Sequence, residues 1–372
     1  MSIAEMANAA AGLAQFSPAP SLLEIGDSFW LSAVLKIAVV LAVFFVVPLV
    51  VGYMEHKVMG HQQARLGPME AGPHGSLQLV ADGIKFIQKE DLIPSAADKW
   101  VFAIAPGVAM VPAILIFLVL PLGPGIWGVD FELGLFYALA VGSVTTLGIL
   151  MGGWASSNKF SLFGGLRAAA QLIAYELPLI LAGIAVALQA GTLSLVGIVE
   201  AQATFYIPGT EVNLWYVVPQ LLGFGIFFIA AMAELARPPF DMPIADSELV
   251  FGYMTEYSGI KYAMYMLTEY AGMVSMSALM VVLYLGGWQI LPGVPLPGCE
   301  VSSGLFDCGV IGTVMGVAVT MAKIMLLVFV MVWLRVAYPR LREDQLQKIA
   351  WTVMVPLALL NLAVVTIAKV VF

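Results

Sequence analysis

The groups in this chain able to do chemistry are almost all carboxylates. The sequence holds two cysteines, Cys299 and Cys308, and three histidines, His56, His61 and His74. No Cys-x-x-Cys pair is present to hold an iron–sulfur cluster, and no His-Glu-x-x-His zinc motif occurs, so no metal site is expected. Glu176, Glu234 and Glu269 lie in or at the ends of long apolar runs. Ionisable groups at membrane depth are costly to keep, and this marks them as functional. Two readings of Glu234 stand. Arg237 follows three residues later, the spacing of an ion pair on a helix. Alternatively, Glu234 belongs to a chain of acids that hold and pass protons when a neighbouring charge changes. Burial raises a carboxylate pKa, a nearby Arg lowers it, and close acids titrate together. Asp246 and Glu248, just after Pro243, either join that chain or simply favour a helix N-terminus.

The elements that position these acids are membrane helices. The chain of 372 residues is 61% hydrophobic and 11% charged, and its mean hydropathy is +0.96. A soluble domain carries about 25% charged residues, so the fold class is an all-α polytopic membrane protein. With roughly 20 apolar residues needed per crossing, about eight transmembrane helices are predicted. They cover Leu31–Gly52, Val101–Leu122, Leu133–Trp154, Ala170–Ala190, Leu214–Leu235, Met266–Gly287, Val310–Leu334 and Trp351–Val371. Residues 31–372 read as a single membrane domain. The first 35 residues contain no Lys or Arg, so the basic start of a secretory signal is missing, and Met1–Trp30 reads as an N-terminal extension.

Basic residues set the orientation. Lys57, Arg65, Lys85, Lys89 and Lys99 follow helix one. Lys159 and Arg167 follow helix three, and Arg237 and Lys261 follow helix five. Arg335, Arg340, Arg342 and Lys348 follow helix seven. The intervening loops 123–132, 191–213 and 288–309 hold none. The loops after helices 1, 3, 5 and 7 are therefore expected to be cytoplasmic, with both termini outside. No basic stripe with interleaved aromatics occurs, so no nucleic acid is expected as a partner.

Gly123-Pro124-Gly125-Ile126-Trp127-Gly128 fits G-x-G-x-x-G, but it follows a membrane helix rather than a strand and reads as a tight turn. Cys299 and Cys308 share one outer loop. Either they close it as a disulfide, or they are two small unpaired hydrophobes. On the inner side, Leu77, Val80, Ile84 and Ile87 make an apolar stripe opposite Asp82, Lys85 and Lys89, which predicts a helix lying along the membrane surface or a partner.

Four inner segments carry a resemblance. They contain Gln63-Ala64-Arg65-Leu66-Gly67-Pro68, Gly153-Trp154-Ala155-Ser156 followed by Leu166-Arg167-Ala168-Ala169-Ala170-Gln171, Arg237-Pro238-Pro239-Phe240-Asp241, and Pro339-Arg340-Leu341-Arg342. Together, from about Met54 to the last helix, they resemble one membrane-subunit family of NADH:quinone oxidoreductase, respiratory complex I, whose mitochondrial member is called subunit 1. The resemblance implies a subunit beneath the peripheral arm that forms much of the quinone chamber. In that family acids link the chamber to proton translocation. It implies proton coupling by Glu176, Glu234, Asp241, Asp246, Glu248, Glu256 and Glu269, and a chamber lined by Gln63, Arg65, Arg237, Phe240 and Phe251. Quinone would be the substrate, with iron–sulfur clusters and FMN in partner subunits. Those partners would be the peripheral-arm iron–sulfur and quinone-site subunits and small membrane-arm subunits, with the lipid bilayer around the chain. The implied location is a bacterial cytoplasmic (inner) membrane. The sequence departs from the family pattern: Ile244 replaces a usual acid, Asp246 shortens another, Ala236 stands where Asn is common, and His56 stands where Arg is usual.

Three other readings compete. A membrane-bound hydrogenase or ferredoxin-driven complex would use a homologous subunit without quinone. A stand-alone secondary transporter would work as an isolated chain, often with an internal repeat, and no clear repeat is visible. A purely structural anchor would need its acids only for assembly.

Overall fold

In hydrocarbon each backbone N–H must be satisfied within its own segment, so apolar runs of crossing length become helices. The computed structural model describes residues 21–23, 29–205, 213–292, 294, 297, 299–302 and 305–371. The extension Met1–Trp30 lies mostly outside the described residues. In chain order the helices are α1 (Phe29–Gln62), α2 (Gln78–Gln88), α3 (Lys99–Val119), α4 (Gly134–Ala155), α5 (Lys159–Ala190), α6 (Leu195–Ala203), α7 (Leu221–Glu234), α8 (Asp246–Leu249), α9 (Gly259–Tyr284), α10 (Val310–Ala337), α11 (Glu343–Ile349) and α12 (Val355–Val371). A five-residue π-turn, Ala350–Met354, joins α11 to α12, and the joined helix makes one crossing. One antiparallel hairpin, β1 (Cys299–Ser302) and β2 (Leu305–Cys308), pairs Cys299 with Cys308, and a disulfide closes it. Of the two readings of that loop, the bridge is the one present.

Among the described residues seven helices are long and apolar enough to cross a membrane, against about eight predicted, and α7 is a shorter apolar helix. The fifth predicted span, Leu214–Leu235, is thus helical over 14 residues only. That is about 21 Å of helix, short of a hydrocarbon core of about 30 Å. Turns at 216–220 extend it. At one end Gln220 bonds to Ala185 and Gln189 of α5. At the other, Gln171 of α5 bonds to the carbonyl of Ala233. The segment therefore runs antiparallel to α5 over a stretch of α5 about 27 Å long. α5, by contrast, starts at Lys159 rather than Ala170, capped by Asn158, whose side chain accepts from Phe160 N. α1 continues past Gly52 and carries Glu55 beyond the predicted end of its span.

The hub is α9, which is buried continuously from Met273 to Tyr284. It packs on α1, α3, α7 and α10, while α4 lies between α3 and α5, and α12 covers α5. Small residues let the backbones meet: a Cβ on Gly148 of α4 would lie 2.5 Å from Ala109 N of α3. Asp98 accepts from Trp100 N and Val101 N and starts α3. The Gly123–Gly128 segment is a tight turn bridged between Gly123 and Ile126, with Gly125 at positive φ. Leu77, just before α2, and Val80, Ile84 and Ile87 on it are exposed, the stripe expected from their spacing.

The charged loops meet on one face. Glu55 follows the apolar part of α1, Arg237 follows α7, and Arg335 ends α10; these three side chains are in contact. Arg167 of α5 pairs with Glu248 and Glu343, and Glu248 also pairs with Arg340. Asp91 pairs with Lys261 at 2.8 Å.

Candidate functional site

The centre of the charged face is a buried network. Arg237 is 3% exposed and Glu55 1% exposed. Burying a charge is tolerable only when it is paired. Arg237 Nη1 donates to both Glu55 oxygens, at 2.8 and 3.0 Å. Arg237 Nε lies 2.8 Å from Glu269 Oε1 as an ion pair, although the N–H does not point along the contact. Arg335 also donates to Glu55. The guanidinium of Arg237 sits 5.1 Å from the Tyr270 ring centroid, close enough for a cation–π contact. Two cations and two anions therefore balance.

Glu234 takes no part in this network, so the ion pair with Arg237 that its spacing allowed does not form. α7 ends at Glu234, and Ala236 turns the chain with φ 48°. The i, i+3 geometry of a continuing helix is lost, and Arg237 faces Glu55 and Glu269 instead. Among the described residues no Lys or Arg lies within ion-pair distance of Glu234. Its Oε2 is buried without a hydrogen-bond partner. Glu176, hydrogen-bonded to Ser143, lies within electrostatic range of Glu234.

Glu234 faces a cavity between α3, α4, α5, α7 and α9. Its empty volume is about 840 Å³, with the open solvent at its mouth included. Ala109, Ala113, Ile116, Ile149 and Leu172 supply apolar wall. Thr145, Thr146, Thr268, Glu234 and Glu269 supply polar points. Ile244 is also in the wall, so the acid that the family resemblance implies there would have faced Glu234 and Glu269 across one space.

The remaining site residues separate into groups. Phe240 is buried against Tyr175, with ring centroids 5.6 Å apart, and its carbonyl accepts from Gln171 Nε2 at 2.7 Å. Phe251 is half-buried beside Tyr262. Asp241 is half-buried, within electrostatic range of Tyr253. Asp246 starts α8, and its side chain lies outside the described residues. Glu248 is on the surface, where its hydrogen bond from Arg167, with help from Arg340, holds its carboxyl below the ordinary range. Glu256 accepts from Asn158 Nδ2 at 2.5 Å, away from the cavity. Gln63 and Arg65 bond to each other on an exposed turn at the end of α1. Of the acids named from the sequence, the structure brings Glu234 and Glu269 into one cavity, with Glu176 in electrostatic range.

Sequence reasoning passed over Glu55, Arg335, Gln171 and Tyr270. Glu55 followed a long apolar run just as Glu234 did, and that signal marks a buried acid. Nothing local signals Arg335 or Tyr270, because their partners are distant in sequence. Gln171 donates to Ala233 O and Phe240 O at 2.6 and 2.7 Å and pins the loop after α7 to α5.

Comparison with known proteins converges on one family. Residues 35–366 match the family described as NADHdh, NADH dehydrogenase. The chain is 44% identical over 319 residues to the H subunit of NADH-quinone oxidoreductase from Bacillus thuringiensis (strain Al Hakam), an alignment that covers 86% of this chain and 88% of the relative. The same identity and coverage hold for the corresponding proteins of Bacillus cereus (strain Q1) and Bacillus anthracis (strain A0248).

Proposed function

The chain belongs to the NADH dehydrogenase family, and from that premise we propose that it is the quinone-chamber subunit of a proton-translocating NADH:quinone oxidoreductase. Residues 31–372 act as one membrane unit in a bacterial cytoplasmic membrane, with the loops after crossings 1, 3, 5 and 7 toward the cytoplasm. Quinone is the substrate. FMN and iron–sulfur clusters belong to peripheral-arm partners that dock on the charged face, and small membrane-arm subunits flank the helices.

The observation that carries this reading is Glu234. It is a buried acid at the end of an apolar helix with, among the described residues, no Lys or Arg in ion-pair distance, and it faces a largely apolar cavity beside a balanced Arg237–Glu55–Glu269–Arg335 network. A carboxylate in that setting changes its proton occupancy when a charge appears nearby, because little dielectric screening separates the two. The balanced network supplies fixed charges. Glu176 and Glu269 extend the acid row on either side of Glu234. Phe240 and Phe251, with Arg237, form the wall of the path that admits quinone, and Gln63 and Arg65 lie at its edge. Asp241, Asp246, Glu248 and Glu256 carry charge between that wall and the docking face. Glu248, held ionised by Arg167 and Arg340, is the fixed member of that set.

The test is Glu234→Gln in the assembled complex. Losing a positioned proton carrier slows the dependent step by about a hundredfold, so quinone-linked NADH oxidation and proton uptake should both collapse. Electron transfer from NADH to an artificial acceptor that bypasses quinone should persist. Wild-type turnover and proton yield in an assembled E234Q complex would count against the assignment.

A further inference from the structure

The end of α7 opposite Glu234 holds a second polar cluster, which the proposed coupling does not use. Gln220 precedes the first turn of α7 and is 1% exposed, and Asn361, on α12, is 4% exposed. Gln220 Nε2 donates to Ala185 O at 3.2 Å and to Gln189 Oε1 at 2.5 Å. A backbone carbonyl only accepts, so the orientation of the Gln220 amide is set, and its Oε1 points the other way. That Oε1 and Asn361 Nδ2 are both buried and lack a protein hydrogen-bond partner.

One is an acceptor and the other a donor, and they converge on Gly223. A methyl group on Gly223 would lie 2.9 Å from Asn361 Nδ2, 3.2 Å from Gln220 Oε1 and 3.4 Å from Tyr284 Oη. All three nearest atoms are polar. The Tyr284 hydroxyl gives its proton to Ala182 O at 3.2 Å and keeps its lone pairs. Those distances put the unpartnered donor and acceptor no more than about 6 Å apart, a gap that two hydrogen bonds through one water oxygen can span.

We propose that Gln220, Asn361 and Tyr284 hold one water molecule over Gly223. The water donates to Gln220 Oε1 and to Tyr284 Oη and accepts from Asn361 Nδ2. This makes the three bonds usual for a buried water. Asn361 Nδ2 presents an N–H donor, which a cation cannot accept, so the site selects water over a cation. The bound water ties α5, α7, α9 and α12 together at one level. It thereby fixes the axial position of α7, the short helix that carries Glu234 at its other end. A glycine is required at residue 223 because any side chain there would take the water's place.

Electron cryomicroscopy of the assembled complex, at a resolution that shows ordered water, tests this. A peak within hydrogen-bonding distance of all three atoms is expected in the wild type. No peak beside well-defined Gln220 and Asn361 side chains overturns the proposal, whether or not any variant assembles. Asn361→Leu removes the donor and should lose the peak. Gly225→Ala, two residues along α7 with nothing within 4 Å of an added Cβ, should keep it. A peak unchanged in N361L overturns the assignment to Asn361 equally.

Discussion

Arg237 is the residue on which the charged face depends most, because among the described residues it alone pairs with acids from both α1 and α9. Removing it leaves Glu55 and Glu269 buried with less countercharge. Breaking a buried pair in this way costs about 3–5 kcal/mol. Arg237→Met should therefore reduce the amount of assembled complex, measured by native electrophoresis of membranes. Arg237→Lys keeps the charge but not the fork that reaches Glu55 and Glu269 together, and it should fall between. Ala236 makes an opposite prediction. Its φ of 48° is left-handed, which costs a residue with a Cβ about 1–2 kcal/mol, and Asn tolerates that region better. Ala236→Asn should raise thermal stability by about 1 kcal/mol, read as a higher midpoint of heat inactivation. An unchanged or lower midpoint would mean that the turn is not strained. The same turn explains why the sequence left Glu234 ambiguous. Spacing alone assumes that the helix continues, and a single left-handed residue after its end sends Arg237 elsewhere.

At the scale of elements, the apolar runs were legible because a bilayer enforces one structure on them. Their ends were less legible. α5 and α9 start 11 and 7 residues before their predicted cores, at Lys159 and Gly259, since polar residues of an amphipathic first turn lower hydropathy without breaking a helix. The short helix α6 was not read at all, because Gly197, Glu200 and Gln202 interrupt its apolar pattern. It lies outside the crossings, and burial followed by the charge of Asp130 pushes Glu200 up to about 7. A carboxyl with a raised folded pKa contributes stability below its unfolded value and loses that contribution as pH rises through about 7. Glu200→Gln mimics the neutral form. It should raise the thermal midpoint at about pH 8, and the difference from wild type should shrink toward about pH 5. A pH-independent difference would remove Glu200 as the titrating group.

At the scale of the whole molecule, thirteen of the sixteen basic residues fall in four loops, and the structure gathers those loops on one face through Glu55–Arg237, Arg167–Glu343 and Asp91–Lys261. These pairings were not legible, because each joins segments far apart in the chain. Orientation follows from a different physical rule, the retention of Lys and Arg in the cytoplasm during insertion. It requires α7 to count as a crossing despite its length, and the contacts of Gln220 with Gln189 and of Gln171 with Ala233 lay that segment along α5. Single cysteines reporting sidedness make the test clean, since Cys299 and Cys308 are bonded to each other and leave no free thiol among the described residues. Glu132→Cys and Thr204→Cys, on either side of the pair of crossings made by α4 and α5, lie in loops expected outside. They should react with a membrane-impermeant maleimide in intact spheroplasts. Lys89→Cys and Arg342→Cys should react only after the membrane is opened. Reaction of Thr204→Cys and Arg342→Cys from the same side would mean that α7 turns back before crossing, and Glu234 would then not lie at the cytoplasmic end of its helix.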